Sequence, residues 1–326
     1  MRIGRLATLI VAATAIAAAG VYLTQRLGWW ASNFDTLRAR YAQAPSRFEV
    51  VDGVPLHIRD EGSGPVVVML HGSILNLHEW DLVAERLQAQ FRVVRLDWPP
   101  YGLSGPDPTG EYSNARAAQL LEGVITKLGL TTFMVVATSN GGNVALEYYQ
   151  QHPEHVQAMA FSILPLERPS QTRKVDWRIK WLNKFHQVFL PEYHSKFFYR
   201  LVLEDTTPAS FTPPDELVQM MYDLDNLPGA ARRQKQYIDG NIRLFATSDV
   251  GASAAGVRVP VLLQWCGYDT VISQSAQKTV VRFTQAPVEL IEYPDLGHFP
   301  MWEDPARFSA DLARFLRRVS AAAPGG

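Results

Sequence analysis

The stretch Thr131–Gln150, TTFMVVATSNGGNVALEYYQ, decides the fold. Phe133 to Val136 is a short apolar run with two adjacent valines, the pattern of a buried strand. From Gly141 to Gln150, Val144, Ala145 and Tyr148 recur at helical spacing. Only Ala137-Thr138-Ser139-Asn140-Gly141 lies between, so the chain must turn from strand into helix within about three residues. Such a turn needs small neighbours two positions either side. It holds its central residue in a strained backbone conformation, with the side chain lifted above the sheet. That residue is Ser139. The pattern is G-x-S-x-G with Ala137 at the first glycine, a weaker match by one methyl group.

Outward from this turn, strands and helices alternate with short connections. Phe48–Val51 and Pro55–Asp60, separated by Asp52-Gly53, give a hairpin signal. Pro65–Leu70 is an apolar strand running into His71-Gly72-Ser73, Glu79–Gln90 is amphipathic, and Arg92–Leu96 is the next strand. Ser113–Leu128 has a cap candidate and helical periodicity, and Val156–Leu164 is the strand after the turn. After an interruption, Val259–Trp265 and Val288–Tyr293 read as strands, with helices over Ser273–Phe283 and Pro305–Arg318. This is an α/β pattern: a mostly parallel eight-stranded sheet with helices on both faces. Residues 47–165 and 256–320 make its two parts.

The interruption, residues 166–255, carries Trp177, Trp181, Phe185, Phe189 and Phe197 with Pro208, Pro213 and Pro214, and no alternation. It reads as a helical lid over the strand ends. Aromatic residues at helical spacing usually pack a core, but an insertion over a sheet has two faces to cover. Trp177 and Trp181 are taken as candidate substrate contacts.

The 326 residues hold 47% hydrophobic and 19% charged residues, ordinary material for a large core. A net charge of -1 gives no footprint for nucleic acid. One cysteine, Cys266, excludes an internal disulfide and a cysteine-built zinc site. The histidines show no metal spacing with carboxylates, so neither metal nor cofactor is expected; His152 and His155, flanking Pro153, read as surface residues. Within residues 1–30, Arg2 and Arg5 precede an uncharged run from Leu6 to Leu23, roughly 27 Å as a helix. Ala17-Ala18-Ala19 fits a signal-peptide cleavage site, and Trp29-Trp30 fits the far interface of a membrane anchor, the preferred reading. Either places the rest of the chain outside the cytoplasm, anchored or secreted. Residues 31–46 read as a polar, partly helical linker and 321–326 as a disordered tail.

A serine hydroxyl needs a base to take its proton, and the base needs an acid to fix its tautomer. Loops at the carboxyl ends of parallel strands converge on one edge. Ser139, Asp269 and His298 each follow an expected strand, in the chain order Ser, Asp, His that this architecture uses. An oxyanion then requires two donors, taken as the backbone N–H groups of Asn140 and Ser73.

On these residues the chain resembles the α/β-hydrolase superfamily, in its lid-bearing branch of serine esterases, from about Arg47 to Leu316. The resemblance rests on Leu70-His71-Gly72-Ser73, Asp97 with Gly102 and Ser104-Gly105, Ser139-Asn140-Gly141-Gly142, Gly267–Asp269, and Gly297-His298-Phe299-Pro300 followed by Glu303 and Pro305. It implies Ser139 as nucleophile, His298 as general base then acid, and Asp269 as orienting carboxylate. Ala137, Pro100 and Thr138 depart from the usual pattern. Thr138 and Phe299, beside the triad, join the candidate substrate contacts. Ser104 reads as a turn residue, Glu167 as a competing acid, and His71 as a support of the oxyanion loop. Serine at the elbow argues against the superfamily's aspartate-dependent dehalogenases and epoxide hydrolases. It implies hydrolysis of an ester, thioester or lactone of a fairly apolar small molecule. Carbon–carbon bond hydrolysis and cofactor-free perhydrolysis are the alternatives, and a membrane-anchored scaffold without catalysis is the non-enzymatic one; a complete triad discriminates against the last.

Overall fold

The computed structural model describes residues 2–167, 175–272 and 274–322. Its strands are β1 (Arg47–Val51), β2 (Val54–Glu61), β3 (Val66–Leu70), β4 (Arg92–Leu96), β5 (Phe133–Thr138), β6 (Val156–Ser162), β7 (Val261–Cys266) and β8 (Val288–Tyr293). They form one eight-stranded sheet in the order β1-β2-β4-β3-β5-β6-β7-β8. β2 runs antiparallel to β1 and β4, and the other neighbours are parallel. The chain crosses from β3 to β4 on one side and continues from β5 to β6 on the other. The crevice of such a sheet opens where that direction reverses, above the carboxyl ends of β3 and β5.

The helices are α1 (Arg2–Arg26), α2 (Phe34–Tyr41), α3 (Asp81–Leu87), α4 (Asn114–Lys127), α5 (Asn140–Gln151), α6 (Trp177–Phe189), α7 (Lys196–Thr206), α8 (Asp215–Asp225), α9 (Ala230–Thr247), α10 (Ala252–Ala255), α11 (Ala276–Val280), α12 (Pro300–Glu303) and α13 (Pro305–Ala322). β5 is buried at every position, and its side chains alternate between two cores. Phe133, Val135 and Ala137 face α4 and α5; Met134 and Val136 face the layer containing α3 and α13. The insertion between β6 and β7 contains α6 to α9, a helical lid.

Three local expectations change. The helix expected from Glu79 begins instead as a 3-10 turn over Leu77–Trp80. There Asp97 accepts the Leu77 N–H at 2.7 Å, and Glu79 is drawn inside. The helix expected over Ser273–Phe283 shrinks to α11, capped by Ser275, which accepts from the Lys278 N–H; Ser273 itself lies outside the described residues. At the C-terminus α13 runs on to Ala322, into the expected tail, whose residues 323–326 lie outside the described residues.

α1 is longer than the uncharged run alone, because it continues through both flanking polar segments. Its 25 residues span about 37 Å, more than the ~30 Å hydrocarbon core of a bilayer. Within it, Arg5–Thr24 has a mean hydropathy of 2.1 and none of it is buried against the rest of the protein.

Candidate active site

Ser139 stands between β5 and α5 with φ 47° and ψ -129°. Only strain-tolerant turns hold a non-glycine residue at positive φ. The geometry is held from both sides: the Ser139 N–H donates to the Ser162 carbonyl at 2.9 Å, and its own carbonyl accepts from Gly142 at 3.0 Å. A side chain at Gly141 would sit 2.4 Å from the His71 carbonyl oxygen, so only glycine lets α5 start this close to the end of β3. At the first elbow position, Ala137 is fully buried in β5, paired with Leu70 and Phe161; one methyl group fits there.

Asp269 and His298 are brought together in the loops after β7 and β8. The His298 Nδ1–H donates to Asp269 Oδ2 at 2.9 Å, which leaves the lone pair of a neutral ring on Nε2. Asp269 Oδ1 accepts from the Val271 N–H at 2.6 Å and the Ile272 N–H at 3.3 Å, so the carboxylate cannot swing away. The His298 loop is gripped on either side by one carboxylate: Glu303 accepts from Gly297 N–H at 2.6 Å and Phe299 N–H at 2.9 Å. His298 N–H donates to Thr206 at the end of α7, so the lid helps hold the imidazole.

The loop after β3 carries the expected second oxyanion donor. His71 Nδ1–H donates to the Gly72 carbonyl at 2.7 Å, and its Nε2 accepts from the Trp98 N–H at 3.3 Å. That carbonyl belongs to the peptide unit whose N–H is that of Ser73, so His71 sets the direction of the Ser73 N–H. Burial holds the ring neutral, its pKa lowered to about 4. The other expected donor, the Asn140 N–H, opens α5 and has no acceptor within the helix.

Glu79 was missed as a site residue. Its carboxylate accepts the Gly72 N–H at 2.8 Å. A Gly72 side chain would meet Ser139 Cβ at 3.3 Å and Glu79 Oε2 at 3.7 Å, so this buried acid and the elbow serine flank the same glycine. Burial pushes it up to about 7, against the pull of the Gly72 N–H and of His298. Its local signal, a glutamate just before a tryptophan, does not distinguish it from an exposed helix residue.

The other candidates separate. Phe299 is buried, its ring edge-on to His298 at 5.1 Å; it braces the imidazole. Thr138 is buried with its methyl group 3.6 Å from the Gly72 side-chain position. Trp177 and Trp181 do not meet the expectation of cleft contacts: they stand 73% and 58% exposed on the outer face of α6, since its inner positions are taken by Ile179 and His186. Among the lid helices is a cavity of about 440 Å³ whose wall includes Phe198, Tyr199, Val202 and Ile238 with Asp225; Ile74 of the loop after β3 also lines it, whereas Ser139, Asp269 and His298 do not. Ile74 holds φ 61°, strained for a β-branched residue, and its side chain joins that cavity to the loop.

Ser104 is engaged in structure, accepting from the His57 N–H and donating to the Asp97 carbonyl. Glu167 pairs with Lys278 at 3.8 Å, while Asp269 holds His298. The expectation that histidines and carboxylates do not cluster is corrected at the far end of α5. Ligand atoms of Glu122, His152 and His155 lie within 4.8 Å of one another. Tyr148 hydrogen-bonds both Glu122 and His155 and draws those two together.

A family model for the alpha/beta hydrolase fold matches residues 65–305. The chain is 27% identical over 292 residues to a 2-hydroxy-6-oxononadienedioate/2-hydroxy-6-oxononatrienedioate hydrolase of Klebsiella pneumoniae, covering 85% of this chain and 97% of the relative. It is 26% identical over 253 residues to a pimeloyl-acyl-carrier-protein methyl ester esterase of Nitrosomonas europaea, covering 78% and 96%. A crystal structure of a bacterial membrane phospholipase A superposes with a TM-score of 0.70 at 20% identity, over 99% of this chain and 100% of the other. With a match across most of its length and the sheet order and elbow described above, the chain belongs to the α/β-hydrolase fold family.

Proposed function

We propose that this protein is a membrane-anchored serine hydrolase that cleaves an ester, thioester or lactone of a fairly apolar small molecule through an acyl-enzyme. Ser139 Oγ attacks the carbonyl carbon while His298 Nε2 takes its proton. The carbonyl oxygen, now an oxyanion, receives the N–H groups of Asn140 and Ser73. The C–O bond to the alcohol breaks, the alcohol leaves with the proton from His298, and water repeats the sequence to release the acid. Asp269 holds the imidazole in the productive tautomer and stabilises it once charged.

The observation that carries this reading is the pairing of a serine at φ 47° above the sheet's switch point with the 2.9 Å His298–Asp269 hydrogen bond in neighbouring loops. The apolar part of the lid cavity, where Phe198, Val202 and Ile238 stand beside the polar His186, Asp225 and Lys235 and meet Ile74 of the loop after β3, supports an apolar acyl or alcohol group. The exposed apolar length of α1 supports the anchor, and Arg2 and Arg5 before it support a catalytic domain outside the cytoplasm. A fluorophosphonate probe is expected to label Ser139, identified by peptide mass spectrometry, in wild type and not in Ser139→Ala. Folded wild type that stays unlabelled overturns the assignment and favours a scaffold.

Similarity to the Klebsiella pneumoniae enzyme supports a second reading, hydrolysis of a carbon–carbon bond. Loss of the absorbance of a 2-hydroxy-6-oxodienoate, faster than turnover of p-nitrophenyl butyrate, would select it.

A further inference from the structure

α6 carries a stripe of aromatic residues that stays largely open to solvent among the described residues. Trp177, Trp181, Phe185 and Phe189 recur every four residues and so share one face. They are 73%, 58%, 36% and 50% exposed. Trp181 stacks on Phe185 at 5.4 Å, and Phe185 meets Phe189 at 5.1 Å, so the rings form a continuous strip. A protein surface in water rarely leaves such a patch open. Beside it stand the exposed Lys180 and Lys184, and the helix contains no acidic residue; Arg178 pairs with Asp176 at its N-cap. Aromatic residues on one face with cations alongside are the composition of helices that lie in a lipid interface.

The position of α6 points the same way. It touches α1. The chain leaving α1 is fastened to the lid: Trp30 packs edge-on to Tyr193 at 5.5 Å, and the Ser32 N–H donates to the Asn226 carbonyl at 2.9 Å. A bilayer crossed by α1 therefore stands at a fixed distance from the lid. The opposite face of α6 contributes Asn183 and His186 to the lid cavity, so this single helix separates the strip from that cavity, which meets the loop after β3 at Ile74.

We propose that the outer face of α6 lies in the headgroup layer of the bilayer that α1 crosses, making the lid a lipid-bound surface that admits acyl substrates from the membrane. The inference rests on α1 being an anchor. Cys266 is buried, so thiol labelling of the full chain can report on an introduced cysteine. Trp181→Cys and, for reference, Lys127→Cys at the end of α4 would each carry a bimane and be reconstituted into 3:1 phosphatidylcholine–phosphatidylglycerol vesicles containing headgroup spin-labelled lipid. Quenching at position 181 is expected to exceed that at 127 by about threefold or more. Equal quenching in protein that stays with the vesicles overturns the docking and leaves the anchor standing. Protein that remains in the aqueous phase overturns both. Disulfide cross-linking between 181 positions without lipid quenching assigns the strip to a second copy and overturns the proposal. In a second arm, Trp177→Ser/Trp181→Ser/Phe189→Ser should lower the ratio of turnover on a vesicle-embedded long-chain ester to that on p-nitrophenyl butyrate by about tenfold. An unchanged ratio overturns membrane delivery. Absence of wild-type turnover on both esters instead removes the esterase reading, and the quenching arm still decides the docking.

Discussion

The loops that carry Ser139, Asp269 and His298 and the lid helix α6 are built on opposite terms. Around Ser139, Asp269 and His298 backbone and side-chain groups are tied: one carboxylate grips both sides of His298, two N–H groups hold Asp269, and the elbow is bonded through both its N–H and its carbonyl. Along α6 the largest side chains stack on one another and stay 36% to 73% exposed. In the first region the protein supplies its own surroundings, and geometry is over-determined. In the second, on the proposal above, the surroundings come from outside the chain.

If that contrast holds, the largest effect belongs to the elbow. Ser139→Ala should lower kcat for p-nitrophenyl butyrate on the order of 10⁴-fold or more, with the unfolding midpoint nearly unmoved. A loss under tenfold would mean that the chemistry lies elsewhere. Asp269→Asn should cost somewhat less, roughly 10³ to 10⁴ in kcat, because the amide can donate to Nδ1 and favour the wrong tautomer. Full activity in that variant would shift attention to Glu167. Gly141→Ala probes packing rather than chemistry, since its methyl group meets a backbone oxygen at 2.4 Å. A destabilisation of about 3 kcal/mol is expected in chemical denaturation.

Much of this was legible in the chain itself. The β5–α5 turn follows from a buried apolar run meeting a helix with small residues between them, a local signal. The order of Ser139, Asp269 and His298, expected after the strands that are β5, β7 and β8, followed from alternation. What could not be read depends on long-range approach. Glu79 looks like an exposed helix residue until the Gly72 loop folds over it, and the α3 register shifted because Asp97, twenty residues on, captured the Leu77 N–H. The α6 aromatic residues failed for another reason. Their spacing was seen, but periodicity gives a face without saying what solvent that face meets.

Glu79 tests the buried side of the contrast by pH. Its carboxyl is raised from 4.5 to about 7 by burial, so the folded state binds a proton that the unfolded chain releases first. That stabilisation is complete below pH 4.5 and is lost as pH rises through about 7. Glu79→Gln, which keeps an acceptor for Gly72, should remove this loss. Relative to wild type it should gain at most about 3 kcal/mol between pH 4.5 and 8. Parallel stability curves for the two proteins would mean that the acid is hydrated and is not part of the sealed site.

The smallest effect is expected on the open side. Trp181 is 58% exposed and its described ring contact is Phe185, so Trp181→Ser gives up one aromatic pair and leaves no cavity. In detergent, where an amphiphile can cover the strip, unfolding should move by less than about 1 kcal/mol. The same change at a sealed position such as Trp98 would open a void in the core and cost several times more. A cost at 181 that matched the one at 98 would mean that the strip is packed against protein after all. The difference between the two regions would then be one of exposure in an isolated chain, and the surroundings of α6 would be a second protein surface in place of lipid.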